Sequence, residues 1–325
     1  MPYQEKTSTS LGPDQRPQGH ETHSASNLHV IELTSDWFLP ERHQFTFGCS
    51  DRYADLLIDQ AGDNPWPPVK TNNIVHWDLT DPTADYEARE CTSNMLHTLI
   101  RKEYGEDMPF HFFVGTLDDV ATIGSNARLT SESAKSAVAY AIVEDAQMGH
   151  EQHRISYPAF DERIRGSGTE TLFLASVIDQ LFTTPTYQGA SRGKIVLPTA
   201  ISPDGKAEID KWLKANDPFE NYYRAVATNN ESASDSLKQS DCLSNRAKYI
   251  FEGLEQAGLA HCLTPIDRMA ITLGLRYAGT VDREWHVYNN DTPVSVRQYE
   301  IWRDVWDIIP PEALHEALSI DASSI

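Results

Sequence analysis

The spacing of apolar residues changes repeatedly along the first two thirds of the chain. Short runs of β-branched and aromatic residues, typical of strands, alternate with stretches in which apolar residues recur at helical spacing. The runs predict strands over residues 29–33, 44–47, 73–77, 110–117 and 194–199. Helices are predicted over residues 51–60, 85–104, 131–148 and 169–182. This alternation predicts an α/β fold, with a mainly parallel sheet of about five strands flanked by helices.

The third predicted helix has the clearest apolar stripe. Its apolar residues recur three or four positions apart, at Ala134, Ala137, Val138, Ala141 and Ile142. A stripe of this kind is what an amphipathic helix packs against the core of a domain. We therefore expect this segment to be one of the helices that flank the sheet.

Beyond residue 203 the strand signals fade. Residues 204–217 and 244–258 have helical spacing, and the polar run over residues 228–241 is typical of a connector. Residues 279–288 would add a further helix. The succession of helices in this region resembles that of a winged helix-turn-helix. Because the acids of this segment offset its Arg and Asn residues, a helical interaction module or lid fits its charge better than a DNA reader.

One helix start in this region carries a complete local signal. Thr264 is placed as the N-cap, Pro265 at the first helical position, and Asp267 three residues after the cap. Thr and Asp are preferred at these positions because their side chains accept hydrogen bonds from the free amides of a helix start. Pro is preferred at the first position because it has no N–H that would need a partner. A helix is therefore predicted to begin at Pro265.

The organisation that follows has three parts. Residues 1–26 are polar and rich in Ser, Thr, Gln and Pro, which predicts a disordered tail. Residues 27–203 form the predicted α/β domain, and residues 204–325 form a mostly helical region.

Composition and charge argue against several classes of function. No stretch approaches eighteen uninterrupted apolar residues, so a membrane span is not expected. The formal net charge of −21 disfavours nonspecific nucleic-acid binding. The four cysteines are widely spaced, without a CxxC pair, which argues against a zinc ribbon or a disulfide framework. A cytoplasmic protein with reduced thiols is the simplest interpretation.

The clearest candidate chemistry follows the predicted strand 110–117, in the stretch FFVGTLDDVATIGSNARLT over residues 112–130. Two carboxylates end the strand, and a small-residue loop with hydroxyl groups follows. Open parallel sheets bind ligands at that edge, and a flexible loop can turn its amides towards an anion. The candidate ligand-binding residues are Asp118, Asp119, Thr122, Gly124, Ser125 and Asn126.

The segment LDDVATIGSN, residues 117–126, resembles the phosphoribosyl-pyrophosphate loop of type I phosphoribosyltransferases. The resemblance implies that Asp118 and Asp119 hold the ribose hydroxyls, alone or through Mg²⁺ as a cofactor, and that the loop holds the 5′-phosphate. This chain departs from the family's pattern, because Ile123 precedes the Gly and Asn126 closes the loop. The alternative is an acidic turn between a strand and a helix.

A second resemblance covers residues 44–100, which are similar to part of the arsenate reductases and low-molecular-weight phosphotyrosine phosphatases. It is carried by the loop WDLTDP, in which Asp81 would be the general acid. The nucleophilic Cys-x5-Arg loop expected near the N-terminus is missing. The one Cys-x5-Arg in the chain, from Cys262 to Arg268, has the residues of a helix cap and is interpreted as a structural turn.

Two histidine clusters have spacings that also occur in metal sites. His150 and His153 lie one helical turn apart if their segment is helical, and His76 with Asp78 has the spacing of an iron site. Both clusters are interpreted as surface or structural histidines.

The leading hypothesis is therefore a phosphoribosyltransferase-like protein that binds a small phosphorylated ligand at the loop 118–126. The sequence leaves open whether it is an enzyme. The alternatives are a non-catalytic interaction protein, which would bind a protein partner through its C-terminal helices, and a degenerate arsenate-reductase-type domain.

Overall fold

The structure is a computed structural model of the chain. It describes residues 28–33, 49, 52–53, 55–56, 69–71, 74–75, 110–117, 137–145, 152–184, 193–200, 206–227, 235–287 and 293–321. The tail 1–26, the predicted strand 44–47 and the predicted helix 85–104 lie outside these residues. Those predictions stay predictions.

The described strands form one nine-stranded sheet. They are β1 His29–Glu32, β2 Val69–Thr71, β3 Ile74–Val75, β4 Phe110–Thr116, β5 Ala139–Asp145, β6 Gln152–Phe160, β7 Lys194–Ala200, β8 Arg276–Val287 and β9 Pro293–Trp302. Their spatial order is β1-β4-β5-β6-β7-β9-β8-β2-β3. The prediction of an α/β fold is confirmed, whereas the prediction of about five strands is wrong.

The prediction of a mainly parallel sheet is also wrong. Of the described strand pairs, β6 with β7 is parallel and the others are antiparallel. Parallel neighbours need a crossover of about a dozen residues or more, whereas antiparallel neighbours can follow a short loop. Only residues 146–151 separate β5 from β6, and only residues 288–292 separate β8 from β9. A helix connects β6 to β7, which is why that pair is parallel.

Seven α-helices are described. They are α1 Thr169–Thr183, α2 Lys206–Asn216, α3 Phe219–Ala227, α4 Cys242–Gln256, α5 Pro265–Thr272, α6 Arg303–Trp306 and α7 Pro311–Asp321. The buried faces of α1, α4, α5 and α7 share one hydrophobic core with the sheet. The helices predicted over 169–182, 204–217 and 244–258 are confirmed within a few residues. No described helix is long and apolar enough to cross a lipid bilayer.

The helix predicted over residues 131–148 is wrong in its described part, which contains β5. Ala139, Ala141 and Val143 of this strand join the main core, while Tyr140 and Ile142 are fully buried on the other side of the sheet. A strand that is buried on both faces is a continuous apolar run. Such a run also satisfies helical spacing, so the pattern alone could not separate the two.

The C-terminal region is less helical than predicted. The segment 279–288, predicted as a helix, falls largely within β8. Strands β8 and β9 pair with each other, and the whole length of β7 pairs with β9. Strands from both sides of residue 203 therefore belong to one sheet, and the domain boundary at that point stays a prediction.

Candidate functional site

The centre of the sheet contains an opening between its two parallel strands. Strands β6 and β7 pair only from Gln152 to Arg154 and from Lys194 to Val196. Beyond these residues β6 stays paired with β5 as far as Phe160, and β7 stays paired with β9 as far as Ala200. The described backbone shows no ladder between the two strands over this stretch. The strands therefore diverge towards their carboxyl ends, the edge at which parallel strands bind ligands.

A β-bulge lies within the diverging part of β6. Tyr140 is opposite Ala159 and Ile142 is opposite Ser156, so β6 contains one residue more than β5 between these pairs. A bulged strand bends and twists more strongly than a regular one. The extra residue falls beside Pro158, which has no N–H to donate to a ladder. The bulge thus falls in the part of β6 that has no ladder to β7 in the described backbone.

The opening exposes two backbone edges that point at each other. From Ile155 to Phe160, β6 is paired along one edge, and from Leu197 to Ala200, β7 is likewise paired along one edge. Backbone N–H and C=O groups are obligatory hydrogen-bonding groups. An extended ligand with amide groups can complete such an edge in the way that a further strand would.

A glycine turn connects the carboxyl end of β6 to the start of α1. Gly166 and Gly168 have φ values of 69° and 80°, in the left-handed region that favours glycine. Left-handed glycines close to a helix start are typical of turns that bind anions. The turn thus places the positive end of the α1 dipole beside the opening.

Hydrogen bonds within the turn hold its shape. The Ser167 hydroxyl donates to the carbonyl of Ile164 at 2.6 Å and accepts from the amide of Thr169 at 3.3 Å. The Gly166 amide donates to Glu170 Oε1 at 2.5 Å. These bonds set both the path of the chain and the directions of the remaining amides.

Asp161 anchors the turn to the rest of the protein. Its buried carboxylate accepts hydrogen bonds from the side chain of Arg52 and from the backbone and side chain of Arg163. The Nε of Arg165 donates to the carbonyl of Phe160 at 3.2 Å. In a chain with a net charge of −21, three arginines therefore lie around this turn. Asp161 offsets part of this positive charge, because Arg52 and Arg163 are both paired with it.

The C-terminal helix α7 packs directly against the turn. A Cβ placed on Gly168 would lie 3.5 Å from the carbonyl oxygen of Leu318 and 3.9 Å from the Leu318 side chain. The core side of α7 is buried at Ala313 and Ala317. Residues that are some 150 positions apart in the chain thus shape one side of the site.

A buried polar network lies behind the opening, between β7, β9 and α5. The hydroxyls of Thr199 and Thr264 are 2.8 Å apart, and Arg297 Nη1 donates to both oxygens of Asp267 at 2.9 and 2.8 Å. Burial alone would lower the pKa of Arg297, but the charges of Asp267 and Tyr299 and the hydrogen bonds to Asp267 and Asp210 together outweigh burial and raise that pKa. Burial raises the pKa of Tyr299 as well. The network joins α5 to the sheet. The raised pKa values keep Arg297 protonated and Tyr299 neutral.

The six sequence-predicted site residues lie outside the described residues. Asp118, Asp119, Thr122, Gly124, Ser125 and Asn126 all fall between β4 and β5, in the segment 118–136 that the structure leaves undescribed. Their ligand role and the Mg²⁺ expectation stay predictions. Among the residues that are described, no group of three or more His, Cys, Asp or Glu side chains could hold a metal ion. Asp81 and His150 are likewise undescribed.

His153 and Cys262, which the sequence indicates to be surface or structural residues, both lie in the described part of the chain. His153 is fully buried, with the ring of His111 at 5.1 Å. Cys262 lies in a 3-10 helix ahead of the capped α5, so the prediction of a structural turn is confirmed. Of the other described cysteines, Cys49 and Cys242 are buried. Burial raises the pKa of the Cys242 thiol to about 11.

Sequence reasoning missed the opening, although two local signals pointed to it. Pro158 interrupts a run of strand formers, and a proline there indicates an edge or a bulge. The sequence RGSG, residues 165–168, directly precedes the correctly predicted helix α1. A glycine pair between a strand and a helix is a signal for an anion-binding turn.

Comparisons with known proteins gave structural neighbours only. No family model and no curated protein matches the chain. A spermidine N-acetyltransferase SpeG variant from Vibrio cholerae matches with a TM-score of 0.35 and 12% identity, over 86% of this chain and 96% of its own. A probable GNAT-family acetyltransferase from Chromobacterium violaceum matches with a TM-score of 0.38 and 11% identity, over 93% and 98%. Similarity at this level does not establish an activity.

The phosphoribosyltransferase and arsenate-reductase resemblances are wrong. The strand before the loop 118–126, β4, is antiparallel to both of its neighbours, β1 and β5. The argument for a ligand at that loop required a strand of a parallel sheet, and in the described sheet the parallel pair is β6 with β7.

Proposed function

We propose that this protein binds an acyl-coenzyme A in the opening between β6 and β7 and transfers the acyl group to an amine. The observation that carries the proposal is the divergence of these two strands directly beside the glycine turn. An opening between backbone edges suits an extended arm with amide groups. A glycine turn at a helix start, with arginines nearby, suits a pyrophosphate. Acyl-coenzyme A has both parts in one molecule, with the thioester at the end of the arm.

The order of the two subsites along the chain supports this ligand. Strand β6 runs through the opening and ends at Phe160, and the turn with Gly166 and Gly168 follows at once. A ligand whose pyrophosphate lies at the turn would extend its arm back along β6, on the side where the ladder to β7 has ended and the backbone can offer donors and acceptors. The thioester would then lie inside the sheet, near the bulge beside Pro158 and away from bulk water.

The transfer forms a C–N bond and breaks the C–S bond of the thioester. The amine loses a proton, and the departing sulfur takes one. A backbone N–H at the bulge could donate to the thioester oxygen as negative charge develops on it. The net charge of −21 favours a cationic acceptor, because such a surface attracts amines at long range.

Calorimetric titration with acetyl-coenzyme A tests the proposal, with two glycine variants to locate the site. Gly166 and Gly258 have φ values of 69° and 71°, and a Cβ at either position meets nothing within 4 Å. Gly166→Val and Gly258→Val should each cost about 1–2 kcal/mol of stability, because a β-branched residue disfavours this conformation. Only Gly166→Val should lose affinity, since Gly258 lies at the far end of α4.

Binding of acetyl-coenzyme A should be followed by release of free coenzyme A thiol when a polyamine is added. Equal loss of binding in both glycine variants would mean that the turn is not the site. No heat and no thermal shift of the wild-type protein with millimolar acetyl-coenzyme A would refute the proposed function.

A further inference from the structure

The side chain of Glu170 occupies part of the glycine turn. Glu170 is the second residue of α1, and its Oε1 atom accepts the hydrogen bond from the Gly166 amide at 2.5 Å. The carboxylate therefore reaches back out of the helix, over four residues, to an amide that the left-handed turn presents. An anionic group of the protein sits where the proposed function places an anionic group of the ligand.

An acid in the first turn of a helix has an ordinary role as well, because its charge complements the helix dipole. That role needs no particular partner. The contact with Gly166 is more specific, since Gly166 precedes the helix and its φ of 69° sets the direction of its amide. One N–H can make one good hydrogen bond, and two anions at contact distance repel each other. Glu170 and a phosphate group cannot both use this amide.

We propose that Glu170 is a built-in competitor for the anion subsite of the turn, and this inference rests on the proposed binding of acyl-coenzyme A. Its carboxylate keeps the turn ordered when no ligand is present. The ligand binds only when the carboxylate withdraws from the Gly166 amide. Glu170 thus weakens binding and favours release of coenzyme A after the transfer.

The competitor role and a purely structural role predict effects of opposite sign on affinity. Under both roles Glu170→Ala removes a stabilising contact and lowers the melting temperature. A structural role predicts that the less ordered turn binds coenzyme A more weakly or equally well. The competitor role predicts tighter binding, because one negative charge and one competing acceptor are gone.

The experiment is calorimetric titration of coenzyme A into the wild-type protein, Glu170→Ala and the control Glu162→Ala. Glu162 is an exposed acid just before the same turn, in the 3-10 helix Glu162–Ile164, so the control removes the same charge. We expect Glu170→Ala to bind about tenfold more tightly, as for loss of one charge-assisted competing hydrogen bond. The control should change affinity by less than about twofold, since exposed charges are screened by salt.

Hydrogen exchange of the Gly166 amide gives a second readout that needs no ligand. The amide should exchange slowly in the wild-type protein and in Glu162→Ala, and faster in Glu170→Ala. Unchanged exchange, or unchanged or weaker affinity of Glu170→Ala beside a wild type that binds, would overturn this inference alone. Absence of binding in every protein would overturn the proposed function and this inference together. Binding seen only in Glu170→Ala would support both.

Discussion

At the scale of single residues, buried charges are held by several partners at once. Arg246 is almost completely buried, and it donates to both carboxylate oxygens of Asp217 at 2.9 and 2.6 Å. It also donates to the backbone carbonyls of Ile271 and Leu275. A buried ion pair adds little net stability, but removing one partner leaves the other charge uncompensated.

We expect Arg246→Met to lower the free energy of unfolding by about 3–5 kcal/mol, because Asp217 would keep a buried charge without its partner. Arg224→Met is the matched control. Arg224 pairs with Glu220 at 3.1 Å, but its side chain is 72% exposed. Its loss should cost less than ~0.5 kcal/mol. Urea unfolding of the two variants measures the difference, and similar losses would contradict the prediction.

Glu300 is a second buried charge, and it links strand β9 to its neighbours. Its carboxylate accepts hydrogen bonds from Arg276 at 2.6 Å, and from Lys194 and Trp302 at 3.1 Å. Burial alone would raise the pKa of this carboxyl. The hydrogen bonds and the positive charges of Arg276 and Lys194 outweigh burial and hold its pKa below 4.5.

A lowered folded-state pKa predicts a definite pH dependence. The stabilisation by Glu300 is complete above its unfolded-state pKa of about 4.3, and it is lost as the pH falls through the lower folded-state value. The unfolding free energy of the wild type should therefore fall more between pH 6 and pH 3 than that of Glu300→Gln. The control Glu252→Gln removes an exposed acid whose contact to Lys248 is 3.9 Å long, and it should follow the wild type. Parallel curves for Glu300→Gln and the wild type would contradict the assignment.

At the scale of elements, the start of α5 shows how a local signal becomes a tertiary contact. The Thr264 hydroxyl accepts from the Asp267 amide at 3.1 Å, and the Asp267 carboxylate accepts from the Thr264 amide at 2.8 Å. This reciprocal pair is a capping box, and it forms at the Thr264 cap that the sequence predicted. The same hydroxyl also meets Thr199 of β7, so the cap joins the helix to the strand that borders the opening.

Thr264→Ala should lower the free energy of unfolding by about 1–2 kcal/mol, through loss of the cap and of the contact with Thr199. Thr264→Ser keeps the hydroxyl and should lose less than half as much. Thermal unfolding compares the two variants with the wild type. Equal losses would show that the Thr264 methyl group, rather than its hydroxyl, stabilises the start of α5.

At the scale of the whole molecule, the two ends of the chain should contribute unequally. Residues 311–321 form α7, whose Ala313 and Ala317 are buried and whose Glu316 accepts a hydrogen bond from Ser244 of α4. Residues 1–26 have a composition that cannot bury enough apolar area to offset the entropy of ordering.

Deletion of residues 311–325 should therefore lower the melting temperature by at least ~5 °C, since each kcal/mol shifts it by about 2–4 °C in larger domains. Deletion of residues 1–26 should leave the melting temperature within about 1 °C of the full chain, as expected for residues outside a packed core. Differential scanning calorimetry of both truncations checks this. An equal drop on removal of the first 26 residues would show that they pack against the protein.

The sequence by itself determined what depends on near neighbours in the chain. The helix α1, the strands β4 and β7 and the cap at Thr264 each follow from the residues within a few positions, because helical hydrogen bonds, caps and side-chain alternation are local. The same local rule failed at β5, where burial on both faces gave a strand the apolar spacing of a helix.

Only the tertiary structure decided which strands are neighbours, in which direction they pair and where they part. Those choices depend on contacts between distant residues, such as the pairing of β9 with β7 and the packing of Leu318 against Gly168. The opening exists because β6 stays paired with β5 and β7 stays paired with β9, whereas the ladder between β6 and β7 ends. The three pairings compete with one another. No single segment carries that information, which is why the candidate site moved from the loop after β4 to the turn after β6.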